Sequence, residues 1–142
     1  MYNGKTLKAG ADYTVSYKSN TKVGTATVTV KGTGEFTGTL SKTFKINPRT
    51  TSIKKVSKAR KALTVTVKKR AEQVTGYQVR YSTSKSFKSY KTKTTKNDKT
   101  TKVTLSKLKS HKKYYVKVRT YTVVKGKKYY SAWSSVKSAT TK

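Results

Sequence analysis

Cysteine is missing from all 142 residues, which removes disulfide staples, thiol catalysis and cysteine-based metal sites together. Histidine occurs once, at His111, and carboxylates four times, at Asp12, Glu35, Glu72 and Asp98. Acid–base chemistry needs titrating groups that converge in one cleft, with pKa values shifted by burial or neighbours. His111 instead lies in a loop with Lys107, Lys109, Lys112 and Lys113, and the acids fall singly in turns or at strand ends. No catalytic, cofactor-binding or metal-binding residue is therefore expected. An isopeptide crosslink between lysine and asparagine, which needs a buried acid, is disfavoured on the same ground. No apolar run approaches the ~20 residues of a membrane-spanning helix. The opening residues lack the apolar core of a secretion signal, and the first module reads as a piece cut from a longer exported chain.

Acidic charge is as scarce as cysteine. Against four acids stand 35 lysines and arginines, a formal charge of +31. Such a balance, with only 32% apolar residues, also describes disordered basic tails. Eleven tyrosines, three phenylalanines and one tryptophan argue against that, and so does the strand-like period of the apolar residues. No segment shows helical spacing. The chain is expected to be folded and all-β.

Asn3-Gly4 is a favoured type I′ hairpin pair, so a strand should precede it. Tyr13, Val15 and Tyr17 share one face of a strand over 12–17, and Ala26, Val28 and Val30 one face of a strand over 25–31. Leu40, Phe44 and Ile46 mark a third, with Lys42 interrupting its apolar face. Gly32-Thr33-Gly34 is read as a turn, since a phosphate loop needs a following helix whose N-terminal amides hold the anion. Asn47-Pro48 stops the run because proline cannot donate to a ladder. A sheet of three strands below ~40–50 residues cannot bury enough surface alone. Missing upstream strands, a second copy or the neighbouring module must cover it, and self-association through this uncovered sheet is one expectation.

Beyond Pro48 the alternation continues. Ile53 to Val56 reads as one strand, Leu63, Val65 and Val67 as a second, and Gly76 opens a third with Tyr77, Val79 and Tyr81 on one face. Residues 87–95 are polar and expected at an edge, where Lys88, Lys91 and Lys93 guard against stray pairing. Leu108, six residues before Tyr114, followed by Val116 and Val118, has the spacing of a tyrosine corner leading into a core strand. A hairpin follows around Gly126, and Tyr130, Ala132, Ser134 and Val136 are expected to close the sheet. Seven short strands in about ninety residues make a Greek-key sandwich.

The outward residues of that sandwich form a stripe. If Tyr114, Val116 and Val118 point in, Tyr115, Lys117, Arg119 and Tyr121 point out, and Gln78, Arg80, Tyr129 and Trp133 are expected beside them. Arg119 against Trp133 would form a cation–π pair. Two readings stay open: a ligand platform on which sugars or bases stack, and a self-satisfied ladder that shields the sheet.

Charge is lopsided between the halves. Residues 1–48 carry seven lysines against two acids, giving +5, and the remainder 28 basic residues against two, giving +26. Twenty-three of those 28 are lysines, strongly hydrated point charges suited to loose attraction rather than to reading bases. Lys107, Lys109, Lys112, Lys113, Lys125, Lys127 and Lys128 flank the Tyr114 strand and are expected to form one polyanion patch if their loops approach. Teichoic acids, acidic glycans and anionic lipids are candidate partners, with nucleic acid bound only non-specifically.

Two resemblances refine this. Asn3-Gly4-Lys5-Thr-Leu7-Lys-Ala-Gly10-Ala-Asp12-Tyr13-Thr-Val15-Ser-Tyr17, with Gly24-Thr-Ala26-Thr-Val28, Gly32-Thr-Gly34 and Phe44-Lys-Ile46, resembles a bacterial Ig-like repeat of Gram-positive surface proteins over Tyr2 to Pro48. That family places further strands before Asn3. Gly76-Tyr77-Gln-Val79-Arg80-Tyr81-Ser82, the Leu108 to Tyr121 corner and Lys127-Lys128-Tyr129-Tyr130-Ser131-Ala-Trp133-Ser134 resemble a fibronectin type III domain over Thr51 to Lys142, in the lysine-rich form found in exported clostridial proteins. Ser131-Ala-Trp133-Ser134 is similar to half of the tryptophan–serine box of related receptor sandwiches. Val67 stands where the family usually has a core tryptophan, which implies modest stability or an aromatic supplied from elsewhere. The expected organisation is thus a partial Ig-like module over 1–48 and a fibronectin type III-like domain over 49–142. The resemblances imply a non-enzymatic spacer or adhesion module, extracellular or in the cell wall.

Overall fold

The computed structural model describes residues 3–142, and the chain divides into two compact units, Met1–Ile46 and Asn47–Lys142. Among the described residues all regular elements are β-strands, and no helix is long and apolar enough to cross a membrane.

Unit 1 is a meander of β1 (Tyr13–Lys18), β2 (Gly24–Gly32) and β3 (Thr39–Ile46), paired in that order and antiparallel. Residues directly opposite share a face. The register sets Val15 against Val30 and Val30 against Leu40, then Tyr17 against Val28 and Val28 against Lys42. The apolar residues thus gather on one side, interrupted by Lys42. That side is open: Tyr17 is 58% and Leu40 61% exposed, and Val15 and Phe44 are exposed as well. At Asn3-Gly4 both residues have positive φ, 45° and 75°, as a type I′ turn requires. The strand expected before that turn falls on Met1 and Tyr2, outside the described residues.

Unit 2 is a sandwich of two antiparallel sheets. One is β4 (Ile53–Ala59), β5 (Ala62–Val67) and β8 (Lys102–Leu105). The other runs β10 (Lys127–Tyr130), β9 (Lys113–Val124), β6 (Gly76–Ser82) and β7 (Lys91–Thr94), with β11 (Lys137–Thr140) also paired to β9. The inward residues of each strand meet between the sheets. Leu63, Val65 and Val67 come from β5, Val103 and Leu105 from β8, Tyr77 and Val79 from β6, and Tyr114, Val116 and Val118 from β9. Tyr77 is the largest fully buried side chain and supplies an aromatic to the core that holds Val67. Its hydroxyl accepts the Arg70 N–H at 2.7 Å and donates to the Asp98 carbonyl at 3.0 Å. The tyrosine corner is formed: Leu108 and Tyr114 are buried, and the Lys109 N–H donates to Tyr114 Oη at 3.1 Å.

Two elements depart from expectation. The polar edge strand is confined to Lys91–Thr94, because Phe87, with a φ of 56°, leaves the strand path and is buried against Lys117. The last strand is broken in two, so eight segments stand where seven were expected, and residues 131–136 between β10 and β11 are not extended sheet. Ser131 and Ser134 explain the break. Ser131 N–H donates to the Thr120 carbonyl at 3.1 Å, and Thr120 N–H donates back to Ser131 Oγ at 3.0 Å. Ser134 repeats this with Val118, at 2.7 and 3.0 Å. Each serine hydroxyl takes the place of a backbone carbonyl in the ladder, so three residues of this segment span two of β9. A repeat of three is that of a polyproline II helix, not of a strand.

Candidate functional site: a cation–aromatic ladder on the β6–β9 face

The outward face of the larger sheet is set by register. Gln78 lies opposite Arg119 and Arg80 opposite Lys117, across β6 and β9. Trp133, carried between the two serines, lies over these residues. The Arg119 Cζ is 4.4 Å from the Trp133 ring centroid, Arg80 Cζ 4.6 Å and Lys117 Nζ 5.2 Å. Each cation also has a second ring: Arg119 meets Tyr130 at 3.8 Å, Arg80 meets Tyr90 at 3.8 Å and Lys117 meets Phe87 at 4.3 Å. Arg119 Nε donates to Gln78 Oε1 at 2.8 Å, fixing that guanidinium. The expected pair of Arg119 and Trp133 is thus one rung of a ladder of three cations and four rings.

The ladder is electrostatically one-sided. Partial burial, then the nearby Arg80 and Arg119, pull the Lys117 ammonium below its ordinary value of 10.5. Burial likewise lowers Arg119. Unit 2 contains only two carboxylates, Glu72 and Asp98, and neither acts on these groups. Arg80 Nε is buried with no hydrogen-bond acceptor. The rings therefore supply the cations' electron-rich partners.

Three expected members of the stripe stand apart from the ladder, two of them buried. Tyr121 is 6% exposed, its hydroxyl donates to the Thr95 carbonyl at 2.7 Å, and Tyr130 lies 6.4 Å from its ring. It has the outward parity but is covered, so no ligand reaches it. Tyr129 is buried, and Tyr130 takes the outward place assigned to it. Alternation by twos joins Tyr129 to Trp133, whereas the chain here repeats by threes and joins Tyr130 to Trp133. Tyr115 keeps its outward place but meets Lys113, at 5.6 Å, rather than the ladder. Phe87, Tyr90 and Tyr130 lie outside the expected stripe; for the first two, a pair of aromatics in the otherwise polar 87–95 segment is the available signal.

The polyanion patch is divided. Lys107, Lys109 and Lys112 precede β9, and Lys113 begins it, while Lys125, Lys127 and Lys128 follow it. Twelve strand residues at ~3.3 Å each hold the two groups roughly 35 Å apart. The loops cannot approach, and the domain has two basic poles instead of one patch.

Outside the ladder, an open cavity of about 660 Å³ on unit 1 is lined by Leu7, Tyr13, Val30, Phe36 and Leu40, with Asp12 and Glu35. Two acids read as isolated thus border one space. Asp12 Oδ2 accepts the Lys8 N–H at 2.8 Å and braces a loop. Among the described residues no cluster of three or more His, Cys, Asp or Glu side chains is placed to hold a metal.

The profile of the family described as "Fibronectin type III domain" matches residues 47–137, most of the chain and nearly all of unit 2. The chain belongs to the fibronectin type III family. Solved structures agree on the fibronectin type III fold. The chicken CNTN1 FN1–FN3 domains are 17% identical with a TM-score of 0.56, the alignment covering 84% of this chain and 42% of that one. A beta-1,2-glucanase from Parabacteroides distasonis is 16% identical with a TM-score of 0.53, covering 82% and 17%. Titin domains A168–A170 are 15% identical with a TM-score of 0.50, covering 98% and 52%. This chain therefore spans less than half the length of the CNTN1 structure and a small part of the glucanase. No curated protein matches it in sequence. Fibronectin type III domains are commonly structural or spacer modules of multidomain proteins, generally non-catalytic and often extracellular.

Proposed function

We propose that this chain is a non-catalytic spacer and presentation module of a secreted or cell-wall-associated protein, held loosely to polyanions such as teichoic acid or acidic glycans. The observation that carries this reading is the use of the outward aromatics. Trp133, Tyr130, Tyr90 and Phe87 are each engaged by a cation of the same domain, which favours a strut over an open stacking platform. The remaining cations of unit 2 are mostly exposed lysines, and Lys107, Lys109, Lys112, Lys113, Lys125, Lys127 and Lys128 stand at the two ends of β9. Exposed lysines attract polyanions by counterion release, without shape selection. On this reading residues 1–48 are a partial Ig-like module, in the manner of Gram-positive surface proteins, and residues 49–142 the spacer. The open face of Val15, Tyr17, Leu40 and Phe44 then completes its core against further strands or a second copy.

The test is retention on teichoic acid, heparin and DNA columns across salt. If six phosphates are met, affinity falls about a thousandfold between 50 and 200 mM salt, and the three columns release the protein together. Charge-neutral substitution of Lys107, Lys109, Lys112, Lys125, Lys127 and Lys128 lowers retention on all three alike. One column that holds the protein at high salt, or retention unchanged by those substitutions, refutes the loose attachment.

A further inference from the structure

We infer that Arg80 and Lys117, beside Trp133, form a discrete site for a tetrahedral oxyanion: a phosphate or sulfate group borne on a polymer. The inference deepens the polyanion reading above and rests on it for the source of the ligand, but it concerns one defined position rather than the poles. Three cationic heads come within 5.2 Å of one ring centroid, and the charges acting on Lys117 are those of Arg80 and Arg119. Like charges this close repel, and a ring quadrupole offsets only part of that. A bound oxyanion supplies opposite charge that the ring lacks. The two guanidiniums are also unequal. Arg119 Nε is held by Gln78, whereas Arg80 Nε has no acceptor, so Arg80 is the cation left short of a hydrogen-bonding partner.

The register builds the rest of the site. Thr92 of β7 lies opposite Arg80, and Arg80 opposite Lys117, so a hydroxyl, a guanidinium and an ammonium stand in one row on one face. Guanidinium edges pair two parallel N–H groups with two oxygens of a phosphate, and lysine adds a point charge. Thr92 is exposed and Lys117 half-buried, leaving the row open from the β7 side. A flat sugar ring or base would have to displace a cation from Trp133, whereas a compact anion needs only the guanidinium edge and the ammonium.

Trp133 is the one tryptophan of the chain, so its fluorescence reports this site alone. The full-length protein is titrated with inorganic phosphate, and separately with sulfate, at ionic strength held constant with sodium chloride. The expected result is a saturable change in Trp133 emission with phosphate, sulfate or both, and the stronger of the two names the source of the group. Lys117→Gln and Arg80→Gln each weaken that response about tenfold, the loss of one charge-assisted contact. Lys107→Gln, Lys109→Gln and Lys112→Gln leave it unchanged while reducing column retention, which separates this site from the loose attachment. Should Arg80→Gln fail to fold, Lys117→Gln decides, because Lys117 lies outside the core. Emission that follows chloride as closely as both oxyanions, or full affinity retained in Lys117→Gln, overturns the inference.

Discussion

Replacing Trp133 with alanine tests whether the ladder is a strut. The ring is shared by Arg80, Lys117 and Arg119. Three partly exposed cation–π contacts at about 0.5–1 kcal/mol each set a range of roughly 1.5–3 kcal/mol. Non-additivity among contacts on one ring places the expected loss near the middle, about 2 kcal/mol. For a domain of this size that lowers Tm by on the order of 10 °C. Far-UV circular dichroism on thermal and urea unfolding is the assay, since the variant has no tryptophan to follow. Trp133→Phe, which keeps a smaller ring, should lose less than half as much. A double-mutant cycle of Trp133→Phe with Arg119→Met isolates one rung and should return a coupling of ~0.5 kcal/mol or more. Alanine at 133 costing under ~0.5 kcal/mol, the level of an ordinary surface change, would show the ladder to be idle.

Three further outcomes follow from the structure. In Gly76→Ala the new Cβ meets the Thr95 carbonyl and hydroxyl oxygens at 2.9 Å and the Tyr121 ring at 3.0 Å. The expected loss is about 1–3 kcal/mol by overpacking, and unchanged urea unfolding would refute that contact. Tyr121 is held above its ordinary 10.0, chiefly by burial. Its neutral form is favoured in the folded state, so its contribution is present below pH 10 and is lost as pH rises through the raised value. Alkaline unfolding should therefore shift in Tyr121→Phe, and an identical alkaline limb refutes the assignment. If unit 1 pairs with a second copy, the charge of +31 on each chain opposes association until salt screens it. Sedimentation velocity should then show dimer growing with salt and absent in Leu40→Lys; monomer at every salt removes that reading.

The fold was legible because its signals are local and repeated. Alternation in Leu63–Val67, Tyr77–Val79 and Tyr114–Val118 names inward residues wherever the chain is a regular strand, and all of these are buried together. The Leu108–Tyr114 spacing placed the corner for the same reason. The site was half legible. Arg80, Lys117 and Arg119 lie on regular strands, and parity put them on one face. Tyr129 and Tyr130 exchanged places because parity fails where serine hydroxyls replace carbonyls and the repeat becomes three. Tyr121 misled differently: its direction was right, but cover by Tyr130 and the close backbone at Gly76 is tertiary and leaves no trace in a period. The basic patch divided because nearness in sequence to one strand says nothing of which end a loop occupies.

The serine-built interruption bears on how this sheet edge meets other strands. An outer margin of unbroken extended backbone invites a neighbour's strand to zip onto it, and tandem repeats keep such neighbours permanently close. Here that margin offers two runs of four residues, Lys127–Tyr130 and Lys137–Thr140, separated by six residues that lie outside regular strand. A strand added along this edge would find no continuous ladder across the six positions that hold the tryptophan in place.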